Sequence, residues 1–114
     1  MADLRQESVS VKITDVGTAE TIVIPITDSL EGQIKRATHC LGAAISGADS
    51  KIVISKNGTA LGTIVVAYTS SAAGDIDFLE IGNTNVKTGD YIIIANGGES
   101  TGAAVGFIVI DIAR

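Results

Sequence analysis

The balance between branched and unbranched aliphatic residues is the feature that most limits the folds open to this chain. The sequence has 17 Ile and 10 Val but only 5 Leu. Branching at Cβ restricts side-chain rotamers in a helix and suits the pleated surface of a sheet. A helical bundle is therefore disfavoured, and the 114 residues are predicted to form a single all-β domain.

Apolar runs separated by turn residues predict seven or eight strands. The first run alternates Val9, Val11 and Ile13 with polar residues, which is typical of a half-buried strand. Pro25 indicates an edge position or a bulge because proline cannot donate to a sheet ladder. Asn57-Gly58 is a strong hairpin signal. Turn signals every ~8–12 residues indicate a β-sandwich or a barrel. The predicted strands span 8–16, 20–26, 33–44, 51–56, 61–69, 91–95 and 103–113.

Two segments are ambiguous at the level of sequence. Residues 33–44 carry apolar residues at spacings that suit a helical face or a strand, and Thr38, Cys40 and Gly42 favour the strand. A single helical turn is compatible with residues 28–32. Residues 75–81 alternate weakly, so they are predicted to be a short strand or an ordered loop that ends at a polar turn, 82–85.

Three of the predicted strands are apolar on both faces: 64–68, 92–94 and 107–110. A sandwich that stands alone exposes one face of each strand, so these strands need a second cover. A further copy of the chain is the predicted cover, in a homotrimer, and a small closed barrel is the alternative. The predicted interface residues are Val66, Tyr68, Ile93, Phe107 and Val109.

The sequence predicts no catalytic, cofactor-binding or metal-binding residues. His39 and Cys40 are adjacent, but neighbours in a strand point to opposite faces, so His39 is expected at the surface or an interface and Cys40 in the core. Asp75, Asp77 and Glu80 lack the spacing of a calcium loop. The glycine-rich loop 96–102 has no lysine and enters a strand, unlike a phosphate-binding loop. A net charge of −5 argues against nucleic acid, and no segment is long enough to span a membrane.

Residues 31–114 resemble small virion proteins of tailed phages. The resemblance rests on a succession of turn signatures: 49–58, 70–75, 86–91 and 96–102, before a terminal apolar strand. It implies a trimeric jelly-roll β-sandwich of about eight antiparallel strands that decorates or cements the capsid without doing chemistry. The implied partner is the major capsid protein or another virion protein, and the implied location is the capsid surface after synthesis in the host cytoplasm.

Residues 1–7 precede the predicted domain, 8–114, and are expected to form a flexible arm that orders on binding a shell, or else an ordinary frayed terminus. The predicted capsid-docking residues are Asp3, Leu4, Arg5, Lys35 and Arg36.

A second hypothesis retains the fold and assigns it to a phage fibre or tail, where it would bind a host glycan or receptor. Binding would then fall on three loops, 27–32, 70–77 and 96–102. Tyr68 and Tyr91 are expected within strands rather than on those loops, which argues against stacking on sugars.

Overall fold

The computed structural model describes residues 6–113, and these residues form eight antiparallel strands in two sheets. A single 3-10 turn, Asp28–Leu30, lies between the second and third strands. The strands are β1 (Gln6–Ile13), β2 (Glu20–Pro25), β3 (Gly32–Leu41), β4 (Ser50–Lys56), β5 (Thr59–Val66), β6 (Ile76–Val86), β7 (Tyr91–Asn96) and β8 (Gly106–Ala113).

The strand order defines a jelly-roll β-sandwich. Sheet I has the order β1-β8-β3-β6 and sheet II the order β2-β7-β4-β5. Apart from the β4–β5 hairpin, each strand is followed in the chain by a strand of the opposite sheet. The predicted sandwich of about eight antiparallel strands is confirmed. Gln6 and Glu7 lie in β1, paired with Ala113 and Ile112, and the rest of the predicted arm lies outside the described residues.

Local turn chemistry places the hairpin and the edge strand as expected. Asn57 (φ 51°) and Gly58 (φ 89°) both adopt the left-handed backbone that a tight hairpin between β4 and β5 requires. The Asn57 side chain then ties this hairpin to the neighbouring turn, donating to Asp90 at 2.9 Å and accepting from the Tyr91 N–H at 3.0 Å. Pro25 lies in β2, an edge strand of sheet II.

The ambiguous segments are both strands. Residues 32–41 form β3, and the helical turn is confined to Asp28–Leu30. The expected loop at 82–85 is wrong, because β6 continues through these polar residues and pairs with the start of β3, Gly32–Ile34. Gly82 has φ 84°, which accommodates the irregular pairing opposite the β3 bulge.

A bulge in β3 reverses the expected places of His39 and Cys40. The register shifts between Ile34 and Arg36, so alternation restarts and Ala37 and His39 follow Ile34 onto the inner face. His39 is fully buried rather than at the surface, and Cys40 is half-buried on the outer face rather than in the core.

The core between the sheets is aliphatic. Isoleucine dominates it, and the branched side chains of the two sheets face each other across the sandwich. Its largest fully buried apolar side chains are Ile13, Ile34, Leu41, Ile52, Ile54, Ile64, Ile92, Ile94, Ile108, Ile110 and Ile112.

Candidate functional site

All four aromatic residues of this chain lie on its surface. Phe78 and Phe107 are 57% and 45% exposed, and Tyr68 and Tyr91 are 43% and 39% exposed. Aromatic side chains bury large areas and are among the strongest contributors to protein interfaces. A core that contains none of them and a surface that displays them all indicate that a functional site lies on the outside of the sandwich.

The outer face of sheet I carries an apolar cluster, called here the aromatic patch. One cross-strand row runs Lys12, Phe107, Cys40, Ile76 from β1 to β6. The next row runs Ser10, Val109, Thr38, Phe78. The patch is defined as Thr38, Cys40, Ile76, Phe78, Phe107 and Val109. Ile76 is 64% exposed, the largest value among the exposed large apolar side chains of the described residues.

Charged residues border the aromatic patch on one side. The third row of the same face contains Asp111, Arg36 and Glu80 on neighbouring strands. Arg36 forms an ion pair with Glu80, and its guanidinium lies 4.8 Å from the centre of the Phe78 ring. This stacking holds the cation against the aromatic face. An apolar centre with a charged border is the usual anatomy of a protein-binding surface.

The outer face of sheet II is different, because it is nearly free of charge. Its eleven uncharged residues, called here the neutral face, are Thr21, Val23, Pro25, Val53, Ser55, Ala60, Thr63, Val65, Tyr91, Ile93 and Ala95. They come from all four strands of the sheet. Lys51 lies on the same face, directly opposite Val65 in its terminal row, and its backbone N–H donates to the Glu99 carboxylate at 3.1 Å.

The predicted interface residues are divided among four places. Phe107 and Val109 belong to the aromatic patch, and Ile93 belongs to the neutral face. Tyr68 follows the end of β5, so it is not within a strand. Val66 as an interface residue is wrong: it points inward and is completely buried in the core, since alternation along β5 puts Val65 outside instead.

Sequence reasoning missed Ile76 and Phe78, which are the most exposed members of the aromatic patch. Their strand alternates with acidic residues, Asp77 and Glu80, and reads as a weak amphipathic segment. Alternation of this kind by itself predicts that the apolar side faces the core, so no local signal indicated that Ile76 and Phe78 are exposed.

The predicted docking residues that the structure describes lie close together but differ in role. Arg36 borders the aromatic patch, as described above. Lys35 lies in the β3 bulge, and its Nζ donates to the Gln33 side chain at 3.0 Å. Asp3, Leu4 and Arg5 lie outside the described residues.

The three loops of the glycan-binding hypothesis do not form one surface. Two of them meet at one end of the sandwich through the β3–β4 connection: Ser71 bonds to Ile45 at 2.8 and 2.9 Å, and Ser46 pairs with Thr101. The third loop lies at the other end, where Thr88 donates to Asp28 at 2.6 Å.

Burial and hydrogen bonds shift the pKa values of several titratable side chains. Burial lowers the pKa of His39 to about 4, and neither ring nitrogen has a hydrogen-bond partner among the described residues. Partial burial and the nearby Asp75 carboxylate raise the pKa of Asp77. Hydrogen bonds from Gly17 and Ala104 lower the pKa of Asp15, whose carboxylate organises its own turn.

Residues 6–113 contain no group of three or more His, Cys, Asp or Glu side chains placed to hold a metal ion. No helix within that range is both long and apolar enough to cross a membrane.

The fold defines this chain as a jelly-roll β-sandwich module. Comparison with known proteins finds similarity in structure only. No protein-family model and no curated protein matches the sequence. Latent PorU from Porphyromonas gingivalis gives a TM-score of 0.55 at 16% identity, covering 100% of this chain and 13% of that one. The catalytic unit of a GH87 α-1,3-glucanase from Streptomyces thermodiastaticus gives 0.48 at 18% identity, covering 99% and 26%.

A carbohydrate-binding module, CBM36 in complex with calcium and xylotriose, is of similar size. It gives a TM-score of 0.46 at 10% identity, covering 98% of this chain and 94% of that one. This chain spans about an eighth and a quarter of the length of the first two proteins. At identities this low the similarities reflect the fold alone, so the function has to be argued from the surface.

Proposed function

We propose that this protein is a non-catalytic module that binds another protein through the aromatic patch, as a structural component of a phage virion. The observation that carries the proposal is the exposure of Phe78, Phe107 and Ile76 on the same outer face of sheet I. Interfaces are enriched in aromatic residues and arginine at their energetic centre. Arg36, stacked on Phe78, adds the second of these residue types.

Covering the exposed apolar side chains of the aromatic patch contributes favourably to binding. Fully burying a large apolar side chain stabilises by about 1.5–3 kcal/mol. Phe78, Phe107 and Ile76 are each about half exposed, so covering each of them contributes about 1 kcal/mol. A partner that covers the patch also removes water from the Arg36–Glu80 pair, which strengthens the orientation of the complex more than its affinity.

The virion role is the more specific part of the proposal. It is supported by the resemblance of residues 31–114 to small phage virion proteins and by the presence of two apolar outer faces on one small sandwich. In this role the protein decorates or cements the capsid surface as a homotrimer, and the aromatic patch docks on the major capsid protein or another virion protein.

Co-sedimentation with undecorated phage heads tests this role. Wild-type protein is expected to pellet with the heads. The double variant Phe78→Ser/Phe107→Ser is expected to bind about 30-fold more weakly, since about 2 kcal/mol is lost. Tyr68→Ser, which removes an exposed aromatic ring outside the patch, is the matched control and retains binding. Wild-type protein that stays in the supernatant, or a double variant that pellets equally well, would contradict the proposal.

Binding of a glycan on a fibre or tail is the second candidate. The observation that favours it is the pair of exposed phenyl rings on one sheet face, separated by two strand spacings and one two-residue step, or about 12 Å. Rings on such a face can stack on sugar rings, with Thr38 and Arg36 beside them as hydrogen-bonding groups. This site replaces the loop site expected from the sequence.

Affinity electrophoresis in gels that contain bacterial surface polysaccharides separates the two candidates. Under the glycan hypothesis, wild-type protein is retarded by at least one polysaccharide and Phe78→Ser/Phe107→Ser is not. If no polysaccharide retards the wild type while heads bind it, the glycan hypothesis is wrong.

A further inference from the structure

The neutral face of sheet II is the second large surface of the molecule, and it lies on the side of the sandwich opposite the aromatic patch. It is continuous across all four strands, since its residues belong to paired strands, and most of them are small or β-branched. Val23 and Val65 are exposed on it, and Ile93 and Ala95 are half-buried at its centre. An apolar sheet face of this kind needs an explanation in a chain in which 18% of the residues are charged.

We propose that the neutral face is the contact between copies of this chain, which pack it around a three-fold axis. This deepens the proposed function by assigning different surfaces to self-association and to partner binding. The first argument is electrostatic. A residue next to a symmetry axis faces its own copies, so any charge there meets the same charge without an opposite partner. The face largely avoids this repulsion, because none of its eleven residues is charged and Lys51, the one charged residue in their rows, lies in the terminal row opposite Val65.

The aromatic patch meets this condition less well than the neutral face does. Lys12, Arg36, Glu80 and Asp111 lie in its two outer rows, so three copies turned inward on this face would bring like charges together. Those charges suit a partner with a different sequence. The distribution of charge therefore assigns the neutral face to the axis and the aromatic patch to the outside of the assembly.

The second argument is the width of the sheet. Four strands at about 4.8 Å spacing make a face about 19 Å wide. Three such faces form a triangular prism whose axis lies about 5.5 Å from each sheet, which is close to the half-thickness of a packed pair of sheets, about 5 Å. Side chains of ordinary length thus fill the interior of the prism. The central strands β7 and β4 lie nearest the axis, and they present Ile93, Ala95, Val53 and Ser55 there.

The mass in solution tests the proposal, measured by sedimentation velocity and by light scattering on a sizing column. Wild-type protein is expected at three times the 11.6 kDa of one chain. Val53→Lys places a cation near the axis and is expected to give a folded monomer. Ser10→Lys, which adds the same charge to the exposed outer face of sheet I, is the matched control and is expected to remain trimeric.

Circular dichroism establishes whether Val53→Lys is folded. If it is not, Thr63→Lys, at an exposed position of the edge strand β5, replaces it. A monomeric wild type, a folded lysine variant that keeps the wild-type mass, or a trimer that Ser10→Lys dissociates would each overturn the proposal. A dimer that Val53→Lys dissociates would overturn the three-fold arrangement.

Failure of this inference is distinguishable from failure of the proposed function. Phe78→Ser/Phe107→Ser is expected to keep the trimeric mass and lose binding to heads. If that double variant becomes monomeric instead, the aromatic patch is the contact between copies and the assignment of the two faces is wrong.

Discussion

The buried imidazole of His39 makes the stability of this protein sensitive to mild acid. His39 is completely buried between the sheets, and burial lowers its pKa to about 4 from 6.5. The folded state therefore favours the neutral ring, whereas the unfolded chain takes up a proton below about pH 6.5. As the pH falls from 6.5 towards 4, protonation stabilises the unfolded chain but not the folded one, so stability is lost across this window.

The size of the loss follows from the two pKa values. At 1.36 kcal/mol per pH unit, the difference between 6.5 and about 4 corresponds to about 3 kcal/mol. That is a large fraction of the stability of a small domain, about 5–15 kcal/mol. Asp77 pairs with His39 across the strands and has a raised pKa. Its effect on stability has the opposite sign, because a carboxyl with a raised pKa binds a proton more readily in the folded state and so adds stability as the pH falls.

Chemical unfolding of wild type and His39→Leu at pH 7, 5 and 4 isolates the contribution of the imidazole. Groups that do not neighbour position 39 titrate alike in both proteins and cancel in the difference between their free energies of unfolding. This difference is expected to shift in favour of the variant by about 2 kcal/mol at pH 5 and about 3 kcal/mol at pH 4, relative to pH 7. Thr38→Val, a neighbouring change without a titratable group, should follow the wild type. A difference between His39→Leu and wild type that is independent of pH would refute the reasoning.

Three further predictions concern stability and are checked by thermal and urea unfolding. Gly106→Ala is expected to cost about 1–3 kcal/mol, because the new Cβ would overlap the His39 ring and lie 2.9 Å from Val16 Cγ2, and His39→Ala in the same chain should recover part of the loss. Asn96→Leu removes hydrogen bonds to the carbonyls of Val16 (3.0 Å) and Thr18 (2.8 Å), so about 2 kcal/mol is lost and the β1–β2 turn exchanges amide protons faster. Gly58→Ala is expected to cost about 1 kcal/mol from its left-handed backbone alone, since a Cβ there meets open space.

Local signals predicted most of the strands because each signal acts within a few residues. The hairpin at Asn57-Gly58 depends on two left-handed residues, and the edge position of Pro25 depends on one missing N–H. The second half of β6 could not be predicted in this way. Polar residues 82–85 form a strand only because β3 lies beside them and supplies hydrogen-bond partners.

Local signals also could not predict which side chains of β3 point into the core. Continuing the alternation from Ile34 puts Cys40 in the core, which is what the sequence predicts. The bulge at Ile34–Arg36 shifts that alternation by one residue, and neither Lys35 nor Arg36 carries a bulge signal such as glycine. The bulge therefore buries the His39 ring and places the Cys40 thiol on the outer face. The predicted acid sensitivity thus arises from a register shift that only the pairing of β3 with β6 and β8 reveals.

The excess of Ile and Val in the sequence predicted that more apolar surface needs a cover than one sandwich core provides. It could not show which apolar residues share a face. A count of Ile and Val treats every strand face alike, whereas the sheet order places Phe107 and Val109 beside Phe78 on one side of the molecule and Ile93 beside Val53 and Val23 on the other. Charge then distinguishes the two sides, because Arg36, Glu80 and Asp111 lie on the first, whereas the second has only Lys51, in its terminal row. In the proposed assembly, contact around an axis and binding of a different partner place opposite requirements on charge, and the outer faces of the two sheets differ in that property.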